Sequence, residues 1–544
     1  MQPTAYKWAW PALALAYVLG LFVVTIMDVD SAQYASISQE MLQSGEWLQV
    51  HHKAKDYLDK PPLLFWSSAL FYAIFGVSQW AFRLPSVLSS IMGFWATYQL
   101  GKELYNKQTG QLAALILAST QAWLMFNHDV RTDTLISNFS ILAIWQLVKY
   151  VNGAQLKYLF WGFVAVGFAM MAKGPLGAVV PAAAIGCYLL GQKNWKMLFR
   201  WQWLLGAPIV LLVLAPMLYG LYLQFPDWEG IYFFFWKQSF GRITGENEWA
   251  NDSGKFFFVH TFLWSFLPWS ALAIWAMLRR LQAFWQGKKV ELLTLGGFVL
   301  PFIALSFSRY KLPHYIFPMY GMMAVLVAHQ LLNLAKSSKS WVWPLALSQS
   351  IILHIAALSF LALLMGWAFP GAPIWLVVLL ILAALASFLP YFKLKEQRPM
   401  QLVLPAVFAM AIVNVGMNAH VYQELLPYQS GSEAAHYLVQ EGLADQEIGV
   451  YDFSQHSFDF YLGKVAKVFD SPKDIEKAAG QAEWIILIRG KSLAELDKVG
   501  IRYKKIKHFD HFHVTRLTAK FLNPTSRAEQ LQDVYLIKVS GVVS

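Results

Sequence analysis

The sequence predicts an α-helical polytopic membrane protein with a small soluble α/β domain at its C-terminal end, on three observations. Of 544 residues, 57% are hydrophobic and 14% charged, against about 25% charged in soluble domains. Apolar runs of about twenty residues, each long enough to cross roughly 30 Å of hydrocarbon, recur from residue 8 to residue 420. Beyond Gln429 these runs stop, and short strand-forming and helix-forming segments alternate.

The first run, "WAWPALALAYVLGLFVVTIM", is too long for a signal h-region and has no small-residue cleavage site, so it reads as a retained span. Twelve more follow, giving about thirteen at 8–27, 80–100, 111–126, 134–151, 158–172, 176–190, 203–222, 256–278, 291–308, 313–333, 341–368, 373–393 and 401–420. The segment 61–77 reads as loop or as a re-entrant or interfacial helix. The net charge of +11 is not a nucleic-acid footprint, because the basic residues lie between spans rather than in one patch. Alternate short loops and the N-terminus hold about 17 Lys/Arg, among them Lys149, Lys157, Lys193, Lys196 and Arg200, and about three acids, Glu103, Glu291 and Glu396. This is the positive-inside pattern. It places those loops in the cytoplasm and residues 28–79, 223–255 and 427–544 on the outer side.

The expected division is therefore a membrane domain, 1–426, and a soluble domain, 427–544. In the latter, "EIGVYDF", "AEWIILIR" and "DVYLIKV" read as strands, and "GSEAAHYLVQEGL" and "SPKDIEKAAG" as helices. Its histidines have no carboxylate at a diagnostic spacing, which favours a docking or structural role. The single cysteine, Cys187, lies in an apolar run, so neither a disulfide framework nor a thiolate metal site forms within the chain.

With this sidedness, the unusual polar residues collect at one membrane surface: Asp28 and Asp30 after the first span, Asp129 and Asp133 between the third and fourth, Lys173 between the fifth and sixth, and Arg309 and Lys311 between the ninth and tenth. A charge deep in a span costs roughly 2.5–3.5 kcal/mol, so recurrent charges near one face point to function, although any one of them is also compatible with snorkelling to water. Carboxylates beside cations suit a reaction in which an acid deprotonates a hydroxyl or binds a metal while cations hold a leaving phosphate. The same charges would suit a transporter or a phospholipid-binding channel.

The motifs narrow the choice. "DVDSAQYASISQEMLQSGEWL" followed by "YLDKPPLLFWSSALFYAIFGVSQWAFRLPS", then "RTDTLISNF", "MAKGPLGAVVP", "FLPW" and "SRYKLPHYIFP", resemble in order the GT-C polyprenyl-phosphate-dependent glycosyltransferases, which include the lipid A aminoarabinose transferases and the protein O-mannosyltransferases. The resemblance runs over residues 28–320, and an external soluble tail is common in that superfamily. It implies that Asp30 is general base or acceptor-orienting residue, that Asp133 is the second acid with Asp129 sharing its helix face, and that Lys60 contacts the donor phosphate. It further implies that Lys311 and Tyr315 line the lipid-phosphate pocket, with Lys173 and Arg242 as further donor-side cations. Asp59 stands where an acid often helps to bind metal, and Asp28 is a supporting acid. The pattern departs from the family at Ser31, which replaces a second acid, and at Gln33, where some members carry arginine. Where some relatives place a metal-ligand histidine, the chain has Asn251 or Asp252, so Asp59 with Glu246, Glu248 or Asp252 is the alternative donor set for a hard divalent ion.

Pro61 and Pro62 fix the backbone after Lys60 and keep that lysine out of a helical turn, so its ammonium stays at the bilayer surface. The expected activity is sugar transfer from a polyprenyl phosphate carrier to a lipid A-like glycolipid, polysaccharide or protein acceptor, with inversion, at the periplasmic face of a bacterial inner membrane. No nucleotide cofactor and no nucleic-acid partner is expected. A protein O-glycosyltransferase of the same superfamily and a lipid-linked sugar flippase are the alternatives.

Overall fold

The computed structural model describes residues 3–238, 241, 253–337, 341–453 and 455–539. Its first half runs α1 (Pro3–Phe22), α2 (Asp30–Ser44), a hairpin of β1 (His51–His52) and β2 (Lys55–Asp56), α3 (Leu63–Phe75), α4 (Gln79–Leu104), α5 (Lys107–Ala118), α6 (Gln121–Phe126), α7 (Thr132–Gly153), α8 (Leu156–Lys173), α9 (Leu176–Gly191), α10 (Trp195–Leu198) and α11 (Gly206–Gln224). Each of the thirteen expected spans is helical over most of its length. Among the described residues, seven helical stretches are individually long and apolar enough to cross a membrane, and Phe257–Ser265 with Ser270–Trp285 makes an eighth if the bent pair is one span. The chain is a polytopic membrane protein.

The local chemistry explains where helices start and break. Asn106 Oδ1 accepts from Thr109 N at 3.0 Å and opens α5, as Ser78 does for α4. The expected span 111–126 divides at Ser119 and Thr120, whose hydroxyls donate back to Leu115 O (2.7 Å) and Leu117 O (2.8 Å) in competition with the helical ladder. The expected span 256–278 bends by 118° before Ser270, where Pro268 supplies no backbone donor. The first run is helical only to Phe22; the chain then leaves the helix and enters α2 at Asp30. Residues 61–77 hold α3, which begins directly after the Pro61–Pro62 pair.

Arg83, on α4, is fully buried. Its guanidinium donates to His128 O at 2.8 Å and Leu21 O at 3.1 Å, tying the end of α1 to the loop between α6 and α7. Gly220, on α11, lets that helix approach the segment before the hairpin: a Cβ there would sit 2.1 Å from Leu48 O. Gln224, one turn further on, exchanges hydrogen bonds with Val50 N (3.0 Å) and Val50 O (2.7 Å).

The C-terminal part is a five-stranded mixed sheet in the order β4 (Lys467–Phe469), β3 (Glu447–Tyr451), β5 (Trp484–Arg489), β7 (Gln532–Val539), β6 (Tyr503–His511). β3 pairs in parallel with β4 and β5, with Val450 opposite Leu487, and β7 is antiparallel to β5 and β6. Ile485 and Leu487 face one apolar layer with the helices Ser430–Gln440 and His456–Leu462, while Ile486 and Ile488 face another with Pro472–Ala479 and Leu493–Val499. Burial on both faces is why β5 reads as an unbroken apolar run.

The helix His456–Leu462 docks this domain on α2 and the hairpin. Lys53 Nζ reaches Asp459 Oδ2 at 2.8 Å, His52 Nε2 lies 3.1 Å from His456 Nδ1, and Ser36 Oγ donates to His456 O at 3.1 Å. Tyr461 OH accepts from Ile26 N at 2.8 Å and donates to Gln79 Oε1 at 2.9 Å.

Candidate active site

Three elements bring acids and bases to one end of the bundle. Asp30 opens α2, Asp129 and Arg131 lie in the loop before α7, and Asp133 sits in the first turn of α7. Arg131 pairs with Asp30 through Nη1 and with Asp129 Oδ2 through Nη2 at 3.0 Å. One guanidinium therefore bridges two carboxylates from two elements, which the several donors of arginine's planar fork allow. Burial pushes the Asp129 carboxyl above its ordinary value, and Arg131 opposes that shift. The sequence expectation placed Asp129 on a helix face with Asp133; instead Asp129 precedes α7 and turns to Arg131.

The second group is built on Asp133, which is buried. Lys173, the last residue of α8, pairs with its Oδ1, and His314 Nε2 lies 3.6 Å from Oδ2. The Lys173 ammonium also sits 4.1 Å above the Tyr315 ring, a cation–π contact. Lys60 and Arg131 act electrostatically on Asp133 as well, so both groups share one field.

Lys60 pairs with Asp59, whose carbonyl accepts from Gln238 Nε2. Beside Lys60 lies a small pocket of about 20 Å³ lined by Tyr57, Leu58, Met217, Leu221, Phe233 and Phe234. Tyr34 and Tyr57 border the same region: burial lifts both hydroxyls well above their ordinary value, and the charges of Asp30 and Asp59 add to it. Both hydroxyls therefore stay protonated and neutral.

Not every expected site residue joins these groups. Asp28 turns to the tail domain, where its carboxylate accepts from Ser457 N at 3.1 Å and from Ser457 Oγ. Burial raises its pKa to about 6, with the Ser457 hydrogen bonds opposing the shift. Lys311 Nζ donates to Ser253 O at 2.9 Å. Arg242 and Asp252 lie outside the described residues, as do Glu246, Glu248 and Asn251. Among the described residues, the one group of three metal-ligating side chains is His508, Asp510 and Asp533, exposed on β6 and β7; Asp59 belongs to no such group. Sequence reasoning missed Arg131 and His314, although both stand inside motifs it quoted. An arginine between Asp129 and Asp133 was the available signal for the first.

Comparison with known proteins agrees with this architecture. Residues 59–219 match the family model described as dolichyl-phosphate-mannose-protein mannosyltransferase. An undecaprenyl phosphate-α-4-amino-4-deoxy-L-arabinose arabinosyl transferase of Pseudomonas fluorescens (strain Pf0-1) is 30% identical over 337 residues, 59% of this chain and 57% of that protein. A transferase of the same name from Pseudomonas savastanoi pv. phaseolicola is 28% identical over 71% of this chain and 79% of its own length. The crystal structure of ArnT from Cupriavidus metallidurans in the apo state superposes with a TM-score of 0.76 at 18% identity over 98% of both chains, and its undecaprenyl phosphate-bound form with 0.73 at 20%, again over 98% of both. The fold is that of ArnT. In sequence over residues 59–219 and in fold over nearly its whole length, the chain is similar to polyprenyl-phosphate-dependent glycosyltransferases.

Proposed function

We propose that the chain transfers a sugar from an undecaprenyl phosphate carrier to a hydroxyl of a lipid A-like glycolipid or another envelope acceptor. The observation that carries this reading is the placement of Asp30, held by Arg131, at the same end of the bundle as Lys60 and its apolar cavity. A base and a phosphate-binding cation beside an apolar slot are what sugar transfer from a lipid phosphate requires. The acceptor oxygen attacks the anomeric carbon, its proton passes to Asp30, and the bond from that carbon to the phosphate oxygen breaks. The carrier leaves as polyprenyl phosphate with its new charge on Lys60. Attack opposite the leaving group inverts the anomeric centre. Arg131 fixes the Asp30 carboxylate, and Lys173 with His314 fixes Asp133 beside the acceptor.

We place the site and the tail domain at the periplasmic face of a bacterial inner membrane, because the loops at the other end carry the excess of Lys and Arg. A divalent ion at Asp59 stays a proposal. One described carboxylate paired with a lysine supplies at most one ligand, so no step runs through a metal. Loss of transfer on EDTA treatment with recovery on added Mg²⁺ or Zn²⁺ supports it, and unchanged transfer removes it.

The reading is tested with the purified chain in nanodiscs, a panel of radiolabelled polyprenyl-phosphate sugars, and lipid A, polysaccharide and protein fractions as acceptors. Label moving to one fraction identifies the acceptor. Label crossing the bilayer without transfer to any fraction assigns the chain to the flippase alternative.

A further inference from the structure

A groove extends from Ala178, near the Lys173 end of the bundle, to Leu189 and Arg200 at the end opposite Asp30. It has a volume of about 640 Å³ and runs along α9. Leu147, Phe163, Pro181, Ile185 and Gly186 form its walls, and Arg200 and Trp203 close one end. From Ala178 to Leu189, both lining residues, α9 advances about 16 Å at 1.5 Å per residue, close to the ~15 Å hydrocarbon depth of one leaflet. The walls face lipid and the closed end faces a membrane surface: Phe199, Trp201 and Leu204, on the segment joining α10 to α11, expose their apolar side chains, as residues buried in the headgroup boundary do.

The charge around the closed end is mainly positive, with Glu103 and Glu291 the acids that act on Tyr188 beside it. Residues 134–226 contain no Asp or Glu, whereas Lys149, Lys157, Lys193, Lys196 and Arg200 all lie in the loops and helix ends at this side. Glu103 reaches this side from α4, and its Oε1 accepts from Asn152 Nδ2 at 2.9 Å. Arg200 is positioned rather than loose: Nε donates to Gln202 Oε1 at 2.9 Å, and its guanidinium lies 5.8 Å from the centre of the Tyr150 ring, which itself meets Trp203 edge-on at 5.2 Å. An apolar slot of leaflet depth, opened at the surface by a held arginine in a carboxylate-free stretch, complements a molecule with hydrocarbon tails and an anionic head.

We propose that this groove binds one anionic phospholipid, with its acyl chains along α9 and its headgroup phosphate at Arg200. The site is separate from the Asp30 and Lys60 groups and does not depend on the activity proposed for them. Headgroup recognition by one cation near the surface corresponds to about a fivefold change in occupancy.

The test is native mass spectrometry of the full chain in detergent, titrated with phosphatidylglycerol or phosphatidylethanolamine. The wild type is expected to retain phosphatidylglycerol in preference to phosphatidylethanolamine, and Arg200→Gln to lose about fivefold of the phosphatidylglycerol occupancy with little change for phosphatidylethanolamine. Gly186→Phe should lower binding of both, because a Cβ at Gly186 meets no atom within 4 Å and the ring enters the groove. Thermal unfolding of each variant reports folding, and if Gly186→Phe does not fold, Arg200→Gln decides alone. Unchanged phosphatidylglycerol binding in the folded variants overturns the proposal. So does equal binding of the two lipids by the wild type, or displacement of phosphatidylglycerol from the wild type by stoichiometric undecaprenyl phosphate, which would make the groove a carrier site.

Discussion

Arg131 carries the most information of any single residue in the candidate site. It pairs with Asp30 and Asp129 and acts on Asp133, so three acids take their positions or their field from it. It stands in the loop before α7 and bonds to carboxylates, with no reacting atom assigned to it, which makes it a positioning residue. Arg131→Gln should lower kcat by about 100-fold, the loss expected when a reacting group is misplaced by about 1 Å, with a much smaller effect on donor KM. Arg131→Lys should recover part of kcat, since a lysine can hold one carboxylate but not both. Steady-state kinetics on the three proteins checks this; a change in KM alone would assign Arg131 to donor binding.

Asp28 is legible in the sequence as an acid near the site, but its partner is not, because Ser457 is more than 400 residues away. Its effect on stability follows from its pKa. The folded chain holds the Asp28 proton up to about pH 6, the unfolded chain to about 3.8. Unfolding releases that proton between these values, so stability falls as pH rises from 3.8 to 6 and is level above. The penalty present above pH 6 is about 3 kcal/mol at 1.36 kcal/mol per pH unit. His456, held neutral to about pH 3 by burial, works in the opposite direction over an overlapping range. The difference between wild type and Asp28→Asn therefore isolates the acid. Thermal unfolding from pH 4 to 7 should show the wild type losing stability relative to Asp28→Asn as pH rises, with the gap constant above pH 6.

At the scale of elements, the contact between the hairpin and the helix His456–Leu462 depends on a buried ion pair. Asp459 is 3% exposed and meets Lys53 at 2.8 Å. Removing one partner of such a pair strands the other charge and costs roughly 3–5 kcal/mol, whereas replacing both by apolar groups is often neutral. Lys53→Met should therefore lower the unfolding temperature markedly, and Lys53→Met with Asp459→Leu should recover most of the loss. Equal loss in the single and double variants would place the stabilisation elsewhere in the interface.

The same scale shows what the sequence made readable. Spans such as 134–151 and 158–172 were visible because membrane helices satisfy their own backbone and need only apolar side chains. The breaks at Ser119 and at Pro268 were not read, because periodicity continues across them and only the backbone departs. α3 falls where 61–77 was read as loop or helix, whereas α2 was hidden inside a segment read as loop: its short apolar face, Ala32, Tyr34, Ala35, Ile37 and Met41, is buried against α3 and the helix His456–Leu462 docks on it. In the site, residues inside ordered motifs were legible by type. Their pairing was not, since Asp30 meets Arg131 across 101 residues and Asp133 meets Lys173 across 40.

At the scale of the whole molecule, the two halves are joined where the chemistry is placed. α2 carries Asp30 at one end, bears the docked tail domain along its length, and continues into the hairpin that precedes Lys60. The tail sheet is thereby a scaffold for α2 and the hairpin after it, which position Asp30 and Lys60, the residues proposed as base and phosphate-binding cation.

The measurement that tests the central claim most directly is single-turnover sugar transfer from labelled undecaprenyl phosphate sugar by the wild type and by Asp30→Asn, with donor binding measured on the same samples. The account predicts that Asp30→Asn binds donor as the wild type does and transfers at least about 100-fold more slowly, the lower bound for removing a general base. Transfer at the wild-type rate by a folded, donor-bound Asp30→Asn protein would contradict it.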